Sequence, residues 1–280
     1  MSEKLYNNLK SKNMLKVNID INHLKLFSLG QDLTFVGRET FLDTHLNNSR
    51  KFFIDTIKYI RDNHLENDPL IMSYLYGHIA HYALDITIHP LIGKIIKDEK
   101  IKSVIKPHTV IECELDKYLL NKYYCDSYDY SFLRVKYIRN IINNTYRNVY
   151  KSFDAQFLYK YSILLIRTSN VFIQKLYKNN NMFNKLSRIE SYSHNNKFYK
   201  YINIDKYNFK KDMDKIINKS IDLSSKLIKT ANNYLYENKK VKILYYAFDN
   251  TPYDIGTIEE EFKYNNIPIY SKTNLEIKKV

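Results

Sequence analysis

Two histidines and one carboxylate recur at intervals of four residues in the segment from Tyr74 to Pro90. These are His81, Asp85 and His89, and mostly apolar residues surround them. In an α-helix, residues four apart lie one above the other on the same face. Polar groups on an apolar face are costly to bury without a partner, and a divalent metal ion removes that cost. Because histidine and aspartate are ligands that suit zinc, the segment predicts a zinc-binding helix that ends at Pro90.

A second pair with the same spacing follows, His108 and Glu112. The alternative for all these residues is a set of hydrogen-bonded polar side chains on amphipathic helices. Two such pairs so close in sequence favour metal binding. His78 lies about one turn before His81, and we expect it to be a core histidine, or to support a ligand, rather than to bind a metal ion itself.

Two further candidates precede these pairs, Asp32 in a glycine turn and His45. Each has an ordinary alternative, since such turns are common and a histidine near a helix start is often a cap. In their order along the chain, however, the candidates resemble the pattern of the zinc-dependent phospholipase C family of bacteria, whose relatives include single-strand-specific nucleases with three zinc ions. The matching motifs, which cover about residues 24–120, are Gly30-Gln-Asp32, His45, His81-Tyr82-Ala-Leu-Asp85, His89-Pro90 and His108-Thr-Val-Ile-Glu112.

This resemblance implies two sets of zinc ligands. The first zinc would be held by Asp32, His45, His81 and Asp85, and the second by His89, His108 and Glu112. The resemblance also implies catalytic roles for the carboxylates Asp32, Asp85 and Glu112. In the family a third ion uses a histidine near the amino terminus. No histidine stands before His23 here, so two zinc ions are expected and the third stays open.

The implied ligands indicate hydrolysis of a phosphate ester. Two zinc ions close together lower the pKa of a bridging water and neutralise the phosphoryl oxygens. We therefore expect a phospholipase C-like phosphodiesterase whose partners are a phospholipid, or another phosphodiester, and a membrane surface. Two alternatives stay open: a nuclease or nucleotidase on the same zinc cluster, and a degenerate homologue that binds zinc without catalysis.

The composition predicts an all-α, single-domain helix bundle over residues 1–280, with the metal cluster between helices. Only 5 Gly and 5 Pro occur in 280 residues, of which 44% are hydrophobic, and this scarcity favours helices. The metal motifs occupy 24–120 and a helical carboxy-terminal lobe 130–280. Within this scheme, the patterns predict a short amphipathic helix in 1–22, a turn at 28–32, helices from about Thr44 to Asn63, from Pro69 with Asp68 as N-cap, and from Phe209 to Tyr236, and a strand or short helix at 241–248.

The formal net charge of +14 has two interpretations. It could indicate affinity for polyanions, or it could reflect a compositional bias that inflates Lys, Asn, Ile and Tyr together. The basic residues are scattered, which favours the bias. We find no apolar signal region at the amino terminus and no apolar run of membrane-spanning length, so a soluble, cytoplasmic protein is expected.

Overall fold

The computed structural model describes residues 1–34, 49–99, 111, 115 and 209–248. This part of the chain contains six α-helices, one 3-10 helix and no strand, so the all-α prediction is confirmed. In chain order the elements are α1 (Ser2–Ser11), α2 (Ile21–Phe27), the 3-10 helix (Gly30–Thr34), α3 (Ser49–Asp62), α4 (Pro69–Glu99), α5 (Phe209–Tyr236) and α6 (Lys242–Ala247). None of the described helices combines the length and the hydropathy needed to cross a bilayer.

The start of α4 follows the sequence prediction. Oδ1 of Asp68 accepts hydrogen bonds from the backbone N–H groups of Leu70, at 2.8 Å, and Ile71, at 3.2 Å. Asp68 therefore caps the helix by satisfying donors that have no partner within it. Pro69 occupies the first helical position, where its missing N–H costs nothing.

The prediction that the helix ends at Pro90 is wrong, because α4 continues through Pro90 to Glu99. A proline inside a helix removes one backbone hydrogen bond and costs about 3 kcal/mol. The turns beyond it bury Ile92, Ile95 and Ile96 in the core. Each of these side chains gains about 1.5–3 kcal/mol on burial, which is enough to offset the proline.

Helix α5 packs antiparallel on α4 and makes this pair of helices the centre of the fold. The Tyr76 hydroxyl donates to Oδ1 of Asn232 at 2.6 Å, and the hydroxyls of Thr87 and Ser220 lie 2.5 Å apart. Apolar residues of α5 fill the space between these polar contacts, among them Ile221, Ile228 and Ala231. The bounds of α5 agree with the prediction.

The shorter helices cover the flanks of this pair. Helix α1 buries Leu5 and Leu9, as its amphipathic pattern predicts, and α3 buries its predicted apolar face of Phe52, Phe53, Ile57 and Ile60. Helix α2 was not predicted. It begins after Asp20, whose Oδ1 accepts from the N–H of Asn22 at 2.7 Å. The segment 241–248, for which a strand or a short helix was expected, forms the short helix α6.

Candidate metal centre

Two glycines allow the chain before α3 to approach α4 closely. A Cβ atom at Gly77 would lie 2.5 Å from the carbonyl carbon of Phe27, so α2 can pack there only on a glycine. Gly30 has a φ of +55°, and a Cβ on it would lie 2.2 Å from Cγ of His81. The 3-10 turn that carries Asp32 therefore packs directly against the imidazole of His81.

This approach brings two carboxylates to one nitrogen of His81. Nε2 of His81 lies 3.2 Å from Oδ2 of Asp85 and 3.8 Å from Oδ1 of Asp32. The His81 side chain is buried and that of Asp85 nearly so, whereas 61% of the Asp32 side chain is exposed. The imidazole thus stands between a carboxylate on its own helix and a carboxylate that borders solvent.

His78 and His89 occupy different surroundings on α4. His78 is completely buried, its ring centroid lies 4.1 Å from that of Tyr74 and 5.7 Å from that of Phe52, and its Nδ1 lies 3.0 Å from the Tyr74 carbonyl oxygen. Burial lowers the pKa of His78 to about 3, so the ring is neutral. The prediction of a core histidine is confirmed. His89 is 4% exposed and lies about one turn beyond Asp85.

Residues 1–170 match the family described as zinc-dependent phospholipase C. This match covers more than half of the chain. The chain belongs to the zinc-dependent phospholipase C family. No curated protein and no solved structure matches it. The resemblance carried by the motifs is therefore confirmed, and zinc dependence and hydrolysis of a phospholipid are properties of the family to which this chain belongs.

The spacing between His81 and Asp85 is compatible with two of the ligands of one zinc ion. Ligand atoms held tetrahedrally at about 2.0–2.1 Å from zinc lie about 3.3 Å from one another, and the 3.2 Å between His81 and Asp85 agrees with this spacing. Both carboxylates face Nε2. A carboxylate that only orients a metal-bound imidazole contacts the other ring nitrogen, whereas Asp32 and Asp85 approach Nε2.

The described residues supply only part of the predicted zinc sites. No group of three or more His, Cys, Asp or Glu in them is arranged to hold a metal ion. Three predicted ligands, His45, His108 and Glu112, lie outside the described residues. Sequence reasoning also missed Gly77. A glycine within a long apolar helix is a signal of a close packing contact, and it could have been recognised.

Proposed function

We propose that this chain is a zinc-dependent phosphodiesterase that cleaves phospholipids as a phospholipase C does. The products would be a phosphorylated head group and a diacylglycerol-type alcohol. Membership of the family supports the reaction class. The observation that carries the proposal for this chain is the convergence of Asp32 and Asp85 on Nε2 of His81.

The proposed ligands belong to two zinc ions. Asp32, His45, His81 and Asp85 would hold one, and His89, His108 and Glu112 would hold the other. The positions on α4 favour this division, because His81 and His89 are eight residues apart in one helix, or about 12 Å along its axis. Imidazoles on one helix at that separation are too far apart to bind the same zinc ion. Two ions are proposed, and a third is left open.

Zinc, when bound, supplies a Lewis acid that lowers the pKa of a coordinated water and neutralises phosphoryl charge. The side chains would provide the rest. His81 and Asp85 are fixed by burial on α4, so they can hold their donor atoms in place without a rearrangement. The carboxylate of Asp32 borders both Nε2 of His81 and solvent, so it is well placed to pass a proton to bulk water.

A nuclease or nucleotidase on the same zinc cluster is the second candidate. The observation in its favour is the net charge of +14, because a basic surface attracts the phosphates of nucleic acid. Cleavage of a single-stranded oligonucleotide that falls steeply with added salt would support this candidate over the lipid substrate.

The test compares zinc content and phosphodiester hydrolysis in three proteins: the unsubstituted chain, His81→Ala and His23→Ala. His23 is a partly exposed histidine of α2 and serves as the matched control. Zinc is measured by elemental analysis of protein purified without chelator. Hydrolysis is measured on phosphatidylcholine in mixed micelles and on a single-stranded oligonucleotide.

We expect about two zinc ions per chain, release of phosphocholine, and loss of at least one zinc and of most activity in His81→Ala alone. Losing the zinc ion that His81 helps to hold costs a hydrolase its activated water, so the activity should fall by several orders of magnitude. Bound zinc without turnover of either substrate would indicate a degenerate zinc-binding homologue. The absence of zinc from the unsubstituted chain would contradict the proposal altogether.

A further inference from the structure

The short helix α6 exposes two aromatic side chains next to a group of lysines. Tyr245 is 51% exposed and Tyr246 is 84% exposed, and they are the exposed large hydrophobic residues of the described part of the chain. Tyrosine carries an apolar ring and a polar hydroxyl, so it favours the boundary between water and the apolar part of a bilayer.

The packing of α6 fixes the direction in which these rings point. Leu244 and Phe248 are completely buried, and the Phe248 ring stacks on that of Phe53 with the centroids 4.9 Å apart. Nε of Arg50 also donates to the Phe248 carbonyl oxygen at 2.9 Å. Because this side of α6 is held in the core, Tyr245 and Tyr246 must face outwards.

Three exposed lysines lie close to these tyrosines in the sequence. Lys242 precedes Tyr245 by three residues and Tyr246 by four, which puts all three on one helix face. Lys239 and Lys240 follow the end of α5 and are exposed. From Asn238 to Phe248 the sequence contains three lysines and no acidic residue, with Glu237 just before this stretch and Asp249 just after it.

The turn that carries Lys239 and Lys240 is held to the body of the protein. Asn238 has a φ of +52°, and its Oδ1 accepts from the Arg61 guanidinium at 3.2 Å. The same guanidinium lies over the Tyr234 ring, 4.5 Å from its centroid. The lysines therefore project from a fixed turn, which reduces the entropy lost on binding.

We propose that Tyr245, Tyr246, Lys239, Lys240 and Lys242 form a docking surface for an anionic lipid bilayer. The tyrosine rings enter the head-group layer and the lysines contact the lipid phosphates and carboxylates. Charge complementarity selects this partner: the surface pairs cations with amphipathic rings and, among the residues that the structure describes, lacks the wide apolar area of a stable protein interface. The inference rests on the proposed function only in that the bilayer would contain the substrate.

The test is sedimentation with vesicles of phosphatidylcholine alone and of phosphatidylcholine mixed with phosphatidylserine. Chelated, metal-free protein is used, so that binding is measured without hydrolysis. We compare Tyr245→Ser/Tyr246→Ser, Lys240→Gln/Lys242→Gln and the matched control Lys215→Gln/Lys219→Gln, which removes the same charge from exposed positions on α5. Circular dichroism verifies that each variant is folded.

We expect the lysine pair of the docking surface to weaken binding to the anionic vesicles about thirtyfold. The tyrosine pair should weaken it about tenfold, and the α5 lysine control should bind like the unsubstituted chain. Equal losses in both lysine variants, or unchanged binding in the tyrosine variant, would overturn the proposal, as would parallel losses on a single-stranded oligonucleotide. Vesicle binding by the metal-free protein, together with no hydrolysis of phosphatidylcholine by the zinc-loaded protein in mixed micelles, would support the docking surface and contradict the proposed function, so the two can fail separately.

Discussion

At the scale of single residues, the contact between Gly30 and His81 links the backbone to the proposed chemistry. A Cβ on residue 30 would overlap the His81 side chain, with distances of 2.2–2.5 Å to Cγ, Cδ2 and Cβ, and the φ of +55° is itself unfavourable for other residues. We predict that Gly30→Ala lowers the free energy of unfolding by more than the 1–2 kcal/mol expected for the left-handed backbone alone. It should also remove zinc, because His81 must move. Elemental analysis and urea unfolding measure the two effects.

Gly77→Ala is the matched control for this prediction. Its Cβ would overlap Phe27 and the N–H of Ser28 rather than His81, so it should destabilise the fold while the folded protein keeps its zinc. Similar zinc loss in both variants would mean that stability alone, and not the position of His81, controls metal binding.

His78 should make stability depend on pH. Burial lowers the pKa of its ring from 6.5 to about 3 in the folded chain. Between these values the unfolded chain binds a proton that the folded chain does not, so stability is complete above pH 6.5 and falls as the pH is lowered. The contribution reaches about 1.4 kcal/mol per pH unit. We predict that His78→Phe flattens this decline in urea unfolding of metal-free protein. An unchanged slope, equal to that of a His23→Gln control, would contradict the prediction.

The sequence was a good guide to residues whose role depends on spacing along one helix. His81, Asp85 and His89 all lie on α4, and His78 is in the core. It was a poorer guide to contacts between elements. Nothing in the spacing indicates that Asp32 and His81 approach within 3.8 Å, because that distance depends on how α2 and the 3-10 turn pack on α4. The grouping of Asp32 with His81 was predicted from the order of the family's motifs and not from the spacing of the residues.

At the scale of the element, α4 continues beyond a proline that was expected to end it. Pro90 is exposed, so its ring contributes little packing, while its missing N–H leaves the carbonyl of Ile86 without a helical donor. We predict that Pro90→Ala raises the free energy of unfolding by about 1–3 kcal/mol. Thermal unfolding of metal-free protein measures this gain.

Pro69→Ala provides the matched comparison, since Pro69 is also exposed but occupies the first position of the same helix. There the N–H is not needed, so the substitution should change stability little. A gain of equal size at both positions would show that Pro90 is not under strain. The prediction that the helix ends at Pro90 was wrong because it considered only the helix-breaking tendency of proline. It did not consider the burial of Ile92, Ile95 and Ile96 beyond it, which favours a longer helix.

At the scale of the whole molecule, α5 completes a core that the family match does not include. The match ends at residue 170, yet α5 covers α4 and also reaches α1, where Oγ of Ser225 donates to Oδ1 of Asn8. We predict that a fragment of residues 1–170 lacks cooperative unfolding, because its α4 would expose the surface that α5 buries. Thermal unfolding followed by circular dichroism tests this, and a cooperative transition would contradict it.

A peptide of residues 209–248 added to the fragment is the positive control. It contains α5 and α6, and it should restore part of the cooperative transition by covering α4.

Both helices had been predicted from their sequence patterns, although α6 only as one of two alternatives. Their partners had not, since a periodic apolar face indicates burial without indicating which surface buries it.

The hydrogen bond between Tyr76 and Asn232 also affects the timing of folding during synthesis. The two residues are 156 positions apart, and a ribosome adds about 5–20 residues each second. Roughly 8–30 seconds therefore pass between the synthesis of one partner and that of the other. Throughout this interval the apolar surface of α4 that α5 covers stays exposed on the nascent chain, so we expect a chaperone that shields hydrophobic surface to raise the yield of folded protein.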